Sequence, residues 1–545
     1  MSTTLNKAAA RLRAAAPRFD ADGHRAKREA LDALARAALA ETDALLACHD
    51  SLLFLCAHPS DAAMRRAVQA QLQRLCAFLR PRRGRHAQRL QEQGLPFVEM
   101  TSRFTHDCVR WLMVHPHCRI ALDSFADDAK ADLNAVLRLT LPSVERSETT
   151  AGLTNDALVE ALHVPKGREL SFVIAELSRL DALPYVKDHL FDELDAFVRI
   201  TPTDRRFSKA FSRLPMRETY FQKELMRDFD AKALMNQALP APRTLDGDAQ
   251  DEVICVIKTS LVLTVRETDP GTYMDPRTLR VFDLERGLTV AIYGMTAGRQ
   301  LPLESYVGFT LFKNGLACAY GGAWVFGPRA GFGMNIFEPY RGGESGYMMC
   351  QVLRTYRQAF GVECFEVDAH QFGLDNPDGI ATGAFWFYYR YGFRPLDAQL
   401  AQLAERERAR IRATPGYRSS EKTLLRFTGS NVALNFGRTR PPHVFDYTVP
   451  VTRMVGRRWR GDRVAAERAC VEWFVGRTGG PAPAGADAQR VLAEVALLAV
   501  ANRIDDAARL LTLRRMIETK PVDLWAYQRL CLDFVVASLD SRRGR

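Results

Sequence analysis

Residues 338–348, EPYRGGESGYM, decide how the chain is read. An arginine, two glycines, a glutamate, a serine and a third glycine stand between an apolar stretch, GFGMNIF (331–337), and an amphipathic one, GYMMCQVLRTYRQAFG (346–361). The first has strand composition and the second helical spacing, so the segment is predicted to be a strand-to-helix turn. Such a turn offers unpaired backbone N–H groups at the positive end of a helix dipole, and glycines let an anion come close. Glu344 is the discordant residue. A carboxylate there complements the dipole but repels an anionic ligand, so the expectation is that it points to solvent.

Upstream of this turn the sequence reads as strands. VICVIKTSLVLTV (253–265), LTVAIYGM (288–295), YVGFTLF (306–312) and LACAYGGAWVF (316–326) are rich in β-branched and aromatic residues. Asn314-Gly315 between the last two is a strong two-residue hairpin signal, which places Phe309 and Ala319 on paired antiparallel strands. Downstream come a strand, VECFEVDA (362–369), a helix, GIATGAFWFYYRYG (379–392), and a short strand from Phe393.

This order of elements resembles the second half of the GCN5-related N-acetyltransferase (GNAT) fold, over residues 306–397 and more loosely 250–400. In that family the loop after the fourth strand, Arg/Gln-x-x-Gly-x-Gly/Ala, cradles the diphosphate of an acyl-CoA. Arg341, Gly342, Gly343, Glu344, Ser345 and Gly346 stand at its positions, with Glu344 the departure. The family's last helix carries Ala-x-x-φ-Tyr-x-x-x-Gly-Phe, matched by Ala384, Phe387, Tyr388, Gly392 and Phe393. The resemblance implies that Tyr388 protonates the leaving thiolate, a task its hydroxyl suits because phenol and thiol pKa values lie close together. It also implies that Ile336 lies on a splayed strand whose backbone pairs with the pantetheine arm. Two departures are smaller: Pro339 is displaced by one position, and Ala381 stands where an Asn is often found. The competing reading of Tyr388 is an aromatic core face, since Phe385, Trp386, Tyr389 and Tyr391 crowd the same segment.

Acylation of an amine needs a base for the ammonium proton, and Glu338, Asp368 and His370 are the candidates. Asp368 and His370 have strand spacing, which would put them on one face at a strand end. THDCVRWLMVHPHC (105–118) holds His106, Cys108, His115, His117 and Cys118, but the spacing matches no closed zinc pattern and no metal is expected. The chain lacks GxSxG, a Walker loop and a basic–aromatic array, so nucleic acid is not an expected partner.

The chain has 545 residues, more than one compact domain holds, and a net charge of +11 that favours anionic partners. Eleven cysteines without a framework suit a reducing cytoplasm, and neither a membrane span nor a secretory leader is expected. Residues 1–238 read as an α-helical region, 239–252 as a linker, and 250–415 as the GNAT-like domain. Residues 416–545 read as an irregular segment, a Gly/Pro-rich break at 476–488 and a helical pair. The expected fold class is α+β: a central mixed sheet flanked by helices. The activity implied is transfer of an acyl group from acyl-CoA as co-substrate to an amine-bearing acceptor. Two alternatives stand beside it: an N-acyltransferase fed by an acidic acyl carrier protein, and a non-catalytic scaffold. An open groove between the strands ending at Phe337 and Val367 favours an enzyme, and one plugged by side chains or by the C-terminal extension favours the scaffold.

Overall fold

The computed structural model describes residues 2–82 and 86–543. The chain divides into two compact units: 1–224 with 251–268 and 313–317, and 225–250 with 269–312 and 318–545.

The first unit is not helical throughout, as the reading of 1–238 had it. Alongside helices such as Asp43–Ala57 and Ala62–Leu79 it holds an antiparallel sheet of β1 (Met100–Ser102), β2 (Cys118–Phe125) and β3 (Ala196–Pro202), in the order β1-β3-β2. Residues 185–200, read as one helix, divide at Asp195, whose φ of 46° ends helix Pro184–Glu193 and starts β3. Val198 and Ile200 of that strand join Val109, Leu137, Ile174 and Phe191 in the unit's core. The stretch 253–265, read as a strand, belongs to helix Gly247–Val262. Its buried Val253, Val256, Ile257, Ser260 and Leu261 recur at helical spacing, and the Asp246 carboxylate accepts from the Ala249 N–H at 2.8 Å. A side-chain cap and one buried helix face outweigh the β-propensity of valine and isoleucine.

The second unit is built on a mixed eight-stranded sheet flanked by helices. Its strands are β4 (Arg280–Asp283), β5 (Leu288–Tyr293), β6 (Ser305–Lys313), β7 (Leu316–Phe326), β8 (Arg329–Ile336), β9 (Cys364–Val367), β10 (Arg394–Pro395) and β11 (Val432–Asn435). The order is β10-β11-β9-β8-β7-β6-β5-β4. Asn314 and Gly315 join β6 to β7 with φ of 47° and 80°, the left-handed pair that a two-residue hairpin turn requires.

β8 and β9 pair in parallel, and a parallel pair needs a crossover, here helix Ser345–Phe360. Gly361, at φ 69°, caps that helix. The Tyr356 hydroxyl donates to the Val307 carbonyl at 2.6 Å, and its ring lies edge-on to Phe309, pinning the helix to one sheet face. The β8–β9 register runs from Arg329↔Cys364 to Gly331↔Glu366, while β8 continues to Ile336 with β7 alone beside it. The β8–β9 pairing therefore ends at Gly331, one residue before β9 itself ends at Val367.

Beyond β9, the segment read as one helix at 379–392 is two, Pro377–Thr382 and Ala384–Arg390, broken at Gly383 with φ 66°. The region read as irregular after 416 supplies β11, which pairs antiparallel with both β9 and β10. It also supplies helices Phe445–Trp459 and Arg463–Thr478, which share a core with helices Ala486–Ala501, Ala507–Thr519 and Leu524–Arg543. No described helix is long and apolar enough to cross a membrane.

Candidate functional site

The loop 341–346 sits between β8 and helix Ser345–Phe360, where the sequence places it, but its carboxylate faces inward. Glu344 was expected to turn to solvent; its side chain is fully buried. Oε1 of Glu344 accepts from Arg286 Nη2 at 2.9 Å and Nε at 3.2 Å, and from the Met226 N–H at 2.8 Å. Arg286 lies in the turn between β4 and β5. A buried carboxylate without such partners would face a desolvation penalty of several kcal/mol, so the pair explains the inward orientation.

The space above the helix N-terminus is filled as well. A Cβ at Gly346 would run into the Tyr391 hydroxyl, so this glycine makes room for a tyrosine of the same unit. Phe229 stacks on Tyr391 at 5.9 Å and meets Tyr347 edge-on at 5.3 Å. Arg227 Nη2 donates to the Gly342 carbonyl at 2.9 Å. Residues 226–229 thus lie across the loop, held at Gly342, Glu344, Tyr347 and Tyr391. Arg341 is exposed and turns back on its own strand, its Nε donating to the Ile336 carbonyl at 3.1 Å. Ser345 opens the helix without capping it, and Gly343 is buried. Glu338 is exposed in the short turn after β8, and its carbonyl accepts from the Arg341 N–H at 3.2 Å.

Tyr388 sits among Phe372, Phe387 and Phe393, with ring centroids 5.5–6.4 Å apart. Burial raises the pKa of its hydroxyl well above the ordinary phenol value. A phenol in such surroundings is a weaker acid than the thiolate it was expected to protonate requires.

Asp368 and His370 do not share a strand face. β9 ends at Val367, and Asp368 caps the following turn, its Oδ1 accepting from the His370 N–H at 2.9 Å and from Nδ1 at 2.6 Å. Nε2 of His370 lies 3.5 Å from Asp375. The imidazole is exposed, and its pKa is raised above 6.5, first by the hydrogen bond to Asp368. A histidine held between two carboxylates is a competent proton acceptor at a surface.

The structure therefore brings together Arg341 with Ile336, and Asp368 with His370, but does not gather them with Tyr388 around one cavity. Sequence reasoning missed Arg286, Phe229 and Tyr391. Gly346 was the available signal, since a glycine at a helix start needs a close neighbour, but nothing local says whether that neighbour is ligand or protein.

In the 105–118 segment, the His117 N–H donates to His115 Nδ1 at 3.1 Å, which leaves the proton of neutral His115 on Nε2. That nitrogen faces the Thr259 hydroxyl at 3.1 Å and Cys255 Sγ at 3.4 Å. Burial lowers the pKa of His115 to about 4 and raises that of Cys255, so the pair stays neutral rather than forming a thiolate–imidazolium. Among the described residues no group of three or more His, Cys, Asp or Glu side chains is placed to hold a metal.

Compared with known proteins, the chain matches no family model, no curated protein and no solved structure.

Proposed function

We propose that the second unit transfers an acyl group from a thioester to an amine, and that the donor arrives on a carrier protein rather than as free acyl-CoA. The observation that carries this reading is the end of the β8–β9 pairing at Gly331, which leaves residues 332–336 with β7 on one side and no β9 pairing on the other. A pantetheine arm is an extended amide chain that such a strand edge can hydrogen-bond. The loop beside it, filled by Glu344, Arg286 and Tyr391, offers no cradle for a diphosphate. A carrier-borne arm has one phosphate, bears its charge on an acidic protein surface, and suits a chain of net charge +11.

In this reading the acceptor nitrogen attacks the thioester carbonyl, the C–S bond breaks, and an amide and a thiol result. His370, oriented by Asp368, takes the ammonium proton, and the leaving thiolate takes a proton from water. The filled loop and the apolar surroundings of Tyr388 favour a second reading, a non-catalytic scaffold that keeps the sheet and has lost the chemistry.

Incubation of the purified chain with acyl-CoAs, with acylated carrier protein and with a panel of amines separates these readings. Amide product from the acylated carrier, with acyl-CoAs poor or inert, supports the proposal, and His370→Ala then lowers turnover by roughly 10² to 10⁴-fold. Efficient turnover of acyl-CoA at micromolar concentration restores the free-cofactor reading. No product with any donor leaves the scaffold.

A further inference from the structure

A cleft of about 1060 Å³ opens in the second unit, away from the loop 341–346. Its walls come from residues 373–383, the outer side of helix Ala384–Arg390, and residues 411–425. The volume is at the upper end of small-molecule sites, and the lining combines an apolar floor with a few charged groups. Ile380 and Leu424 are buried in that floor, with Trp386 between the two walls.

The cleft is built rather than incidental. Buried Glu407 accepts from the Tyr417 hydroxyl and the Ser419 hydroxyl, each at 2.9 Å, and from Arg410 at 2.8 Å. Ser419 in turn accepts from the Trp386 indole N–H at 3.2 Å. One carboxylate thus fixes the loop 417–419 and, through it, the position of the floor tryptophan. Phe385 stacks on Phe427 at 3.9 Å and locks the two walls together behind it.

Two arginines line this cleft, Arg390 and Arg418, both exposed. Neither is ion-paired with a carboxylate among the described residues; Arg390 meets the Tyr391 hydroxyl. Two acids also line it. Asp375 faces His370 at 3.5 Å, and Glu421 stands in the first turn of helix Glu421–Phe427, where the helix dipole favours it. Arg390 and Arg418 thus bring two cations without an ion-pair partner among the described residues beside apolar and aromatic surface.

We infer that the cleft binds an amphipathic carboxylate, its apolar chain on Ile380, Trp386 and Leu424 and its head on Arg390 and Arg418. Planar guanidinium groups match a carboxylate in geometry and stay charged at every physiological pH. The site does not depend on acyl transfer: it stands on the cavity and its two cations whether or not the chain is an enzyme.

Isothermal titration of the full chain with decanoate, decanol and decylamine tests the inference. Saturable decanoate binding is expected, with decanol weaker by about 5- to 10-fold and decylamine weaker still. Arg390→Gln and Arg418→Gln each lower decanoate affinity several-fold and leave decanol unchanged. Ala381→Trp, at an exposed position on the cleft wall, abolishes binding of both while the thermal melt stays as in the wild type. Equal affinity for decanoate and decanol, indifference to both arginine changes, binding that survives Ala381→Trp, or no saturable decanoate binding overturns it.

Discussion

Two loops leave the same end of the central sheet, one after β8 and one after β9, and the glycine-rich one is the more closed of the two. The first, 341–346, has the glycines and arginine of an anion cradle, yet it is closed by Glu344, Arg286, Tyr391 and the 226–229 segment. The second, 368–376, lacks a glycine-rich pattern, yet it carries an exposed His370 between two carboxylates and borders a cleft of about 1060 Å³. A glycine-rich turn states that something lies close to the backbone. Whether that something is a ligand or the protein's own side chain is decided by residues far away in sequence.

The sharpest test of this contrast is Glu344. On the sequence alone, Glu344→Gly should relieve repulsion and tighten binding of CoA. In the structure, removing the carboxylate strands Arg286 in a buried site, and breaking such a pair costs about 3–5 kcal/mol. Urea unfolding of Glu344→Gln should show a loss of that order. The double change Glu344→Met with Arg286→Met should recover most of it, since a buried ion pair and a well-packed apolar pair are close in stability. A single mutant as stable as the wild type, or one that gains CoA affinity without losing stability, would return the loop to the ligand.

Gly346 comes next. Gly346→Ala places a methyl group against the Tyr391 hydroxyl, and overpacking of this kind costs roughly 1–3 kcal/mol. In a Tyr391→Ala background the same change should be nearly silent, because the obstacle is gone. The thermodynamic cycle over the four proteins measures the coupling directly. Additive effects would mean that Gly346 is needed for another reason, such as an approaching ligand.

What was legible follows from how local each determinant is. The hairpin at Asn314-Gly315 and the helix 345–360 are set by turn chemistry and by a periodic run with a glycine cap, all within a few residues. Helix Gly247–Val262 was misread because its valines and isoleucines favour a strand, while the packing of Val256 and Ile257 that overrides them is a tertiary fact. β11 is four residues long and pairs with β9 across more than sixty residues of chain, so no short window holds its signal. The site divides in the same way. Arg341 and Gly346 were found by spacing, but Arg286 and Tyr391, which settle what the loop does, stand 58 residues before Glu344 and in a separate helix end. The motif points to Tyr388, which lies among Phe372, Phe387 and Phe393, whereas Tyr391, read only as part of the aromatic face, lies against the loop.

The smallest expected effect lies in the second loop and concerns its histidine. The hydrogen bond that His370 donates to Asp368 is the largest influence raising the pKa of His370, with Asp375 contributing less. A group whose folded pKa is raised stabilises the fold fully below its unfolded value, here 6.5, and loses that contribution as pH rises through the folded value. Asp368 behaves in the opposite sense: its pKa is lowered from 3.8, so its contribution is present above that value and lost as pH falls through the folded one. The pair therefore supports the loop most between those two ordinary values and loses that support in both strong acid and alkali. Because the imidazole is exposed, water and salt screen the attraction, and the effect on global stability should be hard to detect. The ring resonances of His370 report it directly. Their titration midpoint in the wild type should lie above 6.5, fall close to 6.5 in Asp368→Asn, and fall by a smaller step in Asp375→Asn. High salt should narrow the gap between wild type and mutants. A wild-type midpoint at or below 6.5 would show that the imidazole is free of Asp368 in solution, and the second loop would then lose its claim to a held proton acceptor.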